Sequence, residues 1–162
     1  MEKVFALSPI SIENVKSFRL SEAYGLTREQ ELHFWNNSEY QLCRESELAE
    51  ERISTILDAY TDENTEIFVI TSRDEKYFKD TKEWLNRTNF KYDKLFCIGK
   101  NSKIKLIQEL EADAVFEDNP IFFEEVLNDK IYEKVDIFCI DYPYNQNSYC
   151  KVRLDKVTGK PI

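Results

Sequence analysis

Glycine and proline are scarce in this chain, three and four among 162 residues. Flexible Gly-rich linkers and loops are therefore not expected, and no internal repeat is visible. Histidine occurs once, as His33, and the four cysteines at 43, 97, 139 and 150 form no Cys-x-x-Cys pair. A zinc site needs about four closely spaced ligands, so zinc is not expected. Cys97 and Cys139 lie inside apolar runs and read as buried free thiols. No window approaches the ~20 apolar residues of a membrane span. The amino terminus does not read as a signal peptide, so the expected compartment is the cytoplasm.

Positive charge is also in short supply. Lys and Arg number 22 against 31 Asp and Glu, a net charge of −9. Nucleic-acid binders present Lys and Arg to phosphates, so direct nucleic-acid binding is not expected. Two readings of the acidity remain: a solvated acidic surface, or a face that a basic protein groove accepts. What the chain does have is 42% apolar and 14% aromatic residues, enough for one folded domain with a real core, residues 1–162.

The pattern divides that domain. Residues 10–60 read as a helical, cap-like region: Thr27 and Gln30 match a capping box, with Leu32, Phe34 and Trp35 as an apolar side. Ser46 starts a second helix carrying Leu48, Ile53, Ile56 and Leu57. Residues 64–146 alternate strand and helix, and 147–162 form a carboxy-terminal extension. Ile67–Ile70 reads as a strand buried on both faces. A helix from about Asp74 to Asn86 packs through Tyr77, Phe78, Trp84 and Leu85. Strands follow at 95–98, 114–116 and 136–140, with helices from Ser102 and Pro120 between them. The rhythm predicts an α/β fold, an open parallel sheet with helices on both faces.

Ligands of such a sheet collect beyond the carboxyl ends of its strands. Thr71 and Ser72 end the first strand, and their hydroxyls suit a phosphate. Lys103 follows the second and would balance phosphate charge. Glu117 and Asp118 end the third, and their hard oxygens suit Mg²⁺. Singly, each has a plainer reading: Thr71 and Ser72 as helix caps, Lys103 as a solvated lysine, Asp118 or Asn119 as the cap of the helix that Pro120 opens.

Glu66-Ile-Phe-Val-Ile-Thr-Ser-Arg73, Gly99-Lys-Asn-Ser-Lys103 and Val115-Phe-Glu-Asp-Asn-Pro120 stand in that order along the chain. They resemble the second, third and fourth motifs of the haloacid dehalogenase superfamily. The stretch from Ile10 to Gln30 resembles the small helical cap of its deoxyribonucleotidase-like branch, and Asp141-Tyr-Pro-Tyr-Asn-Gln146 resembles the loop after that branch's last core strand. The resemblance implies a Mg²⁺-dependent 5′-nucleotidase fold with Thr71 binding phosphate, Lys103 balancing it, and Asp118, with Glu117, holding the metal. The family's nucleophile motif, Asp-x-Asp-x-Thr at the end of an amino-terminal strand, has no match. Lys3–Leu7 is the one candidate strand, placing Ser8 at the nucleophile position and Ile10 at the acid/base position, where neither can do the chemistry.

Three functions follow as expectations. The first is a non-catalytic protein with a vestigial phosphate site and no cofactor, which binds a protein partner and inhibits a basic nucleic-acid-handling protein. The second is an active nucleotidase or phosphatase using Mg²⁺, its nucleophile strand supplied from outside this chain. The third is a phosphate or nucleotide sensor.

Overall fold

The computed structural model describes residues 7, 8, 10–37, 59–87 and 90–162. Among these described residues five short strands form: β1 Phe68–Thr71, β2 Lys94–Cys97, β3 Ala114–Glu117, β4 Asp136–Ile140 and β5 Val152–Leu154. The α-helices among them are α1 Leu20–Tyr24, α2 Arg28–Trp35, α3 Phe78–Arg87, α4 Lys103–Glu109 and α5 Pro120–Asp129. All strand pairings are parallel, as the α/β expectation requires. They do not form one sheet among the described residues: β1 pairs with β2, and β3–β4–β5 form a separate sheet.

The core is built on β4, the central strand of the larger sheet, and strand alternation sorts its side chains. Ile137 and Cys139 point to one face and pack with Ile104 and Ile107 of α4 and Phe122, Phe123 and Val126 of α5. Phe138 points to the other face, against Leu154 and stacked on Phe116 with centroids 4.7 Å apart. β1 is only half-buried along its length. The expectation of a strand buried on both faces is corrected here, because one edge of β1 opens into a large groove.

Local signals settle the helix starts. The Thr27 capping box forms: Gln30 N–H donates to Thr27 Oγ1 at 3.2 Å, and Thr27 N–H donates to Gln30 Oε1 at 2.9 Å. Asn119 Oδ1 caps α5 by accepting from the Ile121 N–H at 3.0 Å, with Pro120 in the first turn. Two apolar expectations fail. Leu32 and Trp35 are exposed, as is Phe78, whereas Phe34 beside Glu31, and Thr81 with Leu85, are the buried residues of their helices. α1 and α2 are joined by a polar hub instead. The buried Glu31 carboxylate accepts from the Leu20 N–H at 3.1 Å, Ser21 Oγ at 2.7 Å and Arg28 Nη1 at 2.5 Å. The helix expected from Ser46 and most of the candidate strand Lys3–Leu7 lie outside the described residues.

The amino-terminal helical region rests on the carboxyl edge of the strands. Phe18 packs edge-on against Tyr144 at 5.6 Å, Lys156 pairs with Glu13 at 3.4 Å, and Tyr77 Oη donates to the Asn36 carbonyl. Tyr77 and Tyr144 belong to the segments that follow β1 and β4, so this region stands over the edge where ligands of a parallel sheet collect.

Phe123→Ala removes a fully buried ring at the junction of α5 and β4. It is expected to cost about 3–5 kcal/mol in urea unfolding; a loss below about 1 kcal/mol would show that this face is not the core.

Candidate functional site

Parallel strands point their carboxyl ends one way, and the turns beyond β1, β3 and β4 therefore gather at one edge. Three of the side chains singled out from sequence meet there. Lys103, the first residue of α4, donates from Nζ to Glu117 Oε2, and both side chains are largely buried, 18% and 13% exposed. The other oxygen, Glu117 Oε1, accepts from the Asp118 and Asn119 N–H groups at 3.0 and 3.2 Å. Asp118 takes a different partner, Tyr144, whose Oη donates to Asp118 Oδ2. Asn119 caps α5, so the Asp118 carboxylate is left for this contact.

Thr71 and Ser72 end β1 at the same edge. No hydrogen bond or ion pair among the described residues joins either to Lys103, Glu117 or Asp118. The Thr71 hydroxyl accepts from the Arg73 N–H at 3.3 Å, and Ser72 is exposed. The helical segment that follows is capped by Asp74, which accepts from the Lys76 N–H at 3.1 Å, rather than by Thr71 or Ser72. The turn after β2 folds back on this corner. Ile98 N–H donates to the Thr71 carbonyl and Gly99 N–H to the Arg73 carbonyl, each at 2.9 Å. Gly99 takes the left-handed conformation, φ 59°, which glycine adopts without steric cost. Ser8 is exposed, and no hydrogen bond joins it to these groups.

Two neighbours that sequence reasoning passed over hold the edge together. Asn145 is 1% exposed. Its amide N–H groups donate to the carbonyls of Asp118 at 2.9 Å and Ile140 at 2.8 Å, and its oxygen accepts from the Tyr142 N–H at 3.0 Å and Arg153 Nη1 at 3.0 Å. Arg153, on β5, also binds Asp141 at 3.1 Å and the carbonyls of Asn145 and Ser148 at 3.1 Å each. The loop 141–148 is thereby tied to the ends of β3, β4 and β5, and Tyr144 is delivered to Asp118. The Pro-Tyr-Asn run carried a resemblance in the sequence. Arg153 carried no signal beyond membership of a short strand.

The adjacent carboxyls titrate apart. Burial works to raise Glu117, but the charge and hydrogen bond of Lys103 outweigh it and hold Glu117 below the usual carboxylate range. Asp118 has no such cation. Burial pushes it up to about 6, opposed by the Tyr144 hydrogen bond and assisted by the negative Glu117 beside it. Burial, then the Asp118 charge, drive the Tyr144 phenol well above its normal value, so it stays a proton donor. Two half-buried carboxyls on adjacent residues offer the hard oxygen donors that suit a divalent cation. No group of three or more His, Cys, Asp or Glu side chains able to hold a metal occurs among the described residues. This pair would be a partial ligand set, as is usual where substrate phosphate and water complete the shell of Mg²⁺.

Two variants test these assignments. Lys103→Met strands the buried Glu117 carboxylate. At pH 7 the expected loss is about 3 kcal/mol. Because the folded Glu117 pKa is depressed, the stability it contributes is lost as pH falls through that value, so the gap to wild type narrows towards pH 4. Asp118→Asn runs the other way. The raised Asp118 contributes stability that is present below its ordinary value of 3.8 and is lost as pH rises through about 6. The Asn variant is expected to gain on wild type across that interval in urea melts taken at successive pH values. A flat difference would refute the raised pKa.

Known proteins bear on the site as follows. A "Putative nucleotidase" of Bacillus cereus is 27% identical over 141 residues, covering 83% of this chain and 70% of its own length. A protein of Halalkalibacterium halodurans, also named as a "Putative nucleotidase", is 24% identical, covering 85% of this chain and 68% of its own. A nucleotidase of Clostridium acetobutylicum is 24% identical over 158 residues, with 93% and 78% covered. No family model and no solved structure matches the chain. No helix among the described residues is long and apolar enough to cross a membrane.

Proposed function

We propose that the carboxyl edge of this fold is the phosphate pole of a nucleotidase-like site of the haloacid dehalogenase kind, acting on nucleoside monophosphates with Mg²⁺. The observation that carries this reading is the half-buried trio Lys103, Glu117 and Asp118 gathered beyond the ends of parallel strands. Three relatives bearing nucleotidase names support it. The expectation of a non-catalytic inhibitor of a basic protein has no comparable support in the site or the relatives, and the nucleotidase reading takes its place.

The charges explain why a cation belongs in the reading. Lys103 contributes one positive charge, and Glu117 with ionised Asp118 two negative ones. The trio is thus net negative at pH 7 and repels a phosphate dianion. Asp118, with Glu117, would hold Mg²⁺, which supplies charge neutralisation at the phosphoryl oxygens. The Lys103 ammonium, preset by Glu117 and packed 5.9 Å from the centre of the Phe122 ring, would donate to a phosphate oxygen in a charge-assisted bond. The Thr71 hydroxyl at the end of β1 would donate a further hydrogen bond. Tyr144 holds the Asp118 carboxylate in position through a phenol that stays protonated. None of these groups is the attacking nucleophile, and this reading assigns that role to no described residue.

Calorimetric titration of a nucleoside 5′-monophosphate in the presence of Mg²⁺ is the first check, with phosphate release assayed alongside. Affinity is expected to fall at least tenfold in Lys103→Met, and the Mg²⁺ dependence to disappear in Asp118→Asn. Nucleotide binding that is absent from the parent chain, or indifferent to both substitutions, would rule the reading out.

A further inference from the structure

Two of the four cysteines meet beneath the loop that holds the carboxyl edge. Cys139, on β4, is fully buried. Cys150 stands two residues ahead of β5, is half-buried, and packs against the core cluster that contains Cys139. Arg153 spans the distance between them. Its Nη1 lies 3.4 Å from Cys139 Sγ, and its Nη2 donates to the Ser148 carbonyl at 3.1 Å, two residues before Cys150. The chain thus passes within one guanidinium of Cys139 before it enters β5, where the Lys151 N–H donates to the Ile137 carbonyl at 2.8 Å.

The two thiols are unequal. Burial pushes Cys139 up to about 12; the Arg153 charge opposes this, and the Cys150 thiol beside it adds to it. Cys139 is therefore a protonated thiol shielded from solvent, and an oxidant does not reach it first. Cys150 is the accessible member. A buried cysteine by itself is a small apolar filler. That accounts for Cys139, but not for a second, half-exposed thiol brought against it. The ten residues between the pair include Tyr142, Tyr144 and Asn145, the groups that tie the loop down and deliver a phenol to Asp118.

We propose that Cys139 and Cys150 are a redox-active pair, oxidised by a peroxide to a disulfide that closes a covalent ring around the 141–148 loop. The Cys150 sulfur takes an oxygen from hydrogen peroxide: an S–O bond forms, the O–O bond breaks and one water leaves, giving a sulfenic acid. The Cys139 sulfur then attacks the Cys150 sulfur. The S–S bond forms, the S–O bond breaks, and the Cys139 proton departs with the hydroxyl as a second water. Two thiols lose two electrons, and one peroxide is reduced to two waters. Arg153, at 3.4 Å, faces the Cys139 sulfur as its negative charge develops. Both ends of the loop are then fixed covalently, and openings that otherwise require only hydrogen bonds to break become rarer. The inference rests on the two thiols and Arg153 and stands apart from the nucleotidase reading.

The folded, reduced chain is treated with hydrogen peroxide, alkylated, digested and mapped by mass spectrometry without reduction. A peptide pair linked through Cys139 and Cys150 is expected as the main product, removed by dithiothreitol and absent from Cys150→Ser. In Cys139→Ser, dimedone is expected to trap a sulfenic acid at Cys150. The clamp is read by amide exchange. The Tyr142, Asn145 and Ser148 amides, which bond within the loop, are expected to exchange about tenfold slower in the oxidised chain, with those of α2 unchanged. The inference is overturned if peroxide leaves both thiols free, carries Cys150 on to a sulfinic acid, or links the pair only after unfolding in urea. It is equally overturned if the disulfide forms and the three loop amides exchange as fast as before or faster.

Discussion

The carboxyl edge depends on one buried amide. Asn145 spends both N–H groups on carbonyls, those of Asp118 and Ile140, and its oxygen on the Tyr142 N–H and Arg153. An amide can satisfy the ends of β3 and β4 together because it carries donors and an acceptor on one small planar group. Arg153 then closes the loop from the β5 side with its rigid fork of donors, a task that a lysine point charge could not perform. A buried network of this kind is stabilising only when every member is satisfied, and this one is well supplied. The positions of Tyr144 and Asp118 follow from it.

The same edge separates two carboxyls that are neighbours in sequence. Glu117 faces a cation and is held ionised, whereas Asp118 faces a phenol and a like charge and is pushed up. Environments that push paired titratable groups apart are a recurrent mark of sites that handle protons or cations. Here they coincide with the topological place where parallel sheets collect ligands. Position and electrostatics are independent observations, and both point to the ends of β3 and of the turn after β2.

Fold and candidate chemistry meet at the groove. Its carboxyl end opens on Asp118 and Lys103, both of which line it. β1 and β3, each with one strand neighbour among the described residues, are half-buried, against the near-complete burial of β4, which has two. The cap-like region from Ile12 to Asn36 touches the turns after β1 and β4 and so stands over this opening.

Much of this was legible in the chain itself. Continuous apolar runs such as Ile137-Phe-Cys mark buried parallel strands, and the Thr27 and Pro120 signals mark helix starts, because such preferences act within a few residues. Lys103, Glu117 and Asp118 could be singled out because each lies at or just after the end of a strand. The partnership of Asn145 with Arg153, the Glu31 hub between α1 and α2, and the exposure of Leu32, Trp35 and Phe78 were not legible. They depend on which surfaces meet, and a polar side chain finds its partners only after distant segments have packed. The division of the described strands between two sheets was hidden for the same reason: local sequence selects strands, but pairing is decided between segments far apart in the chain.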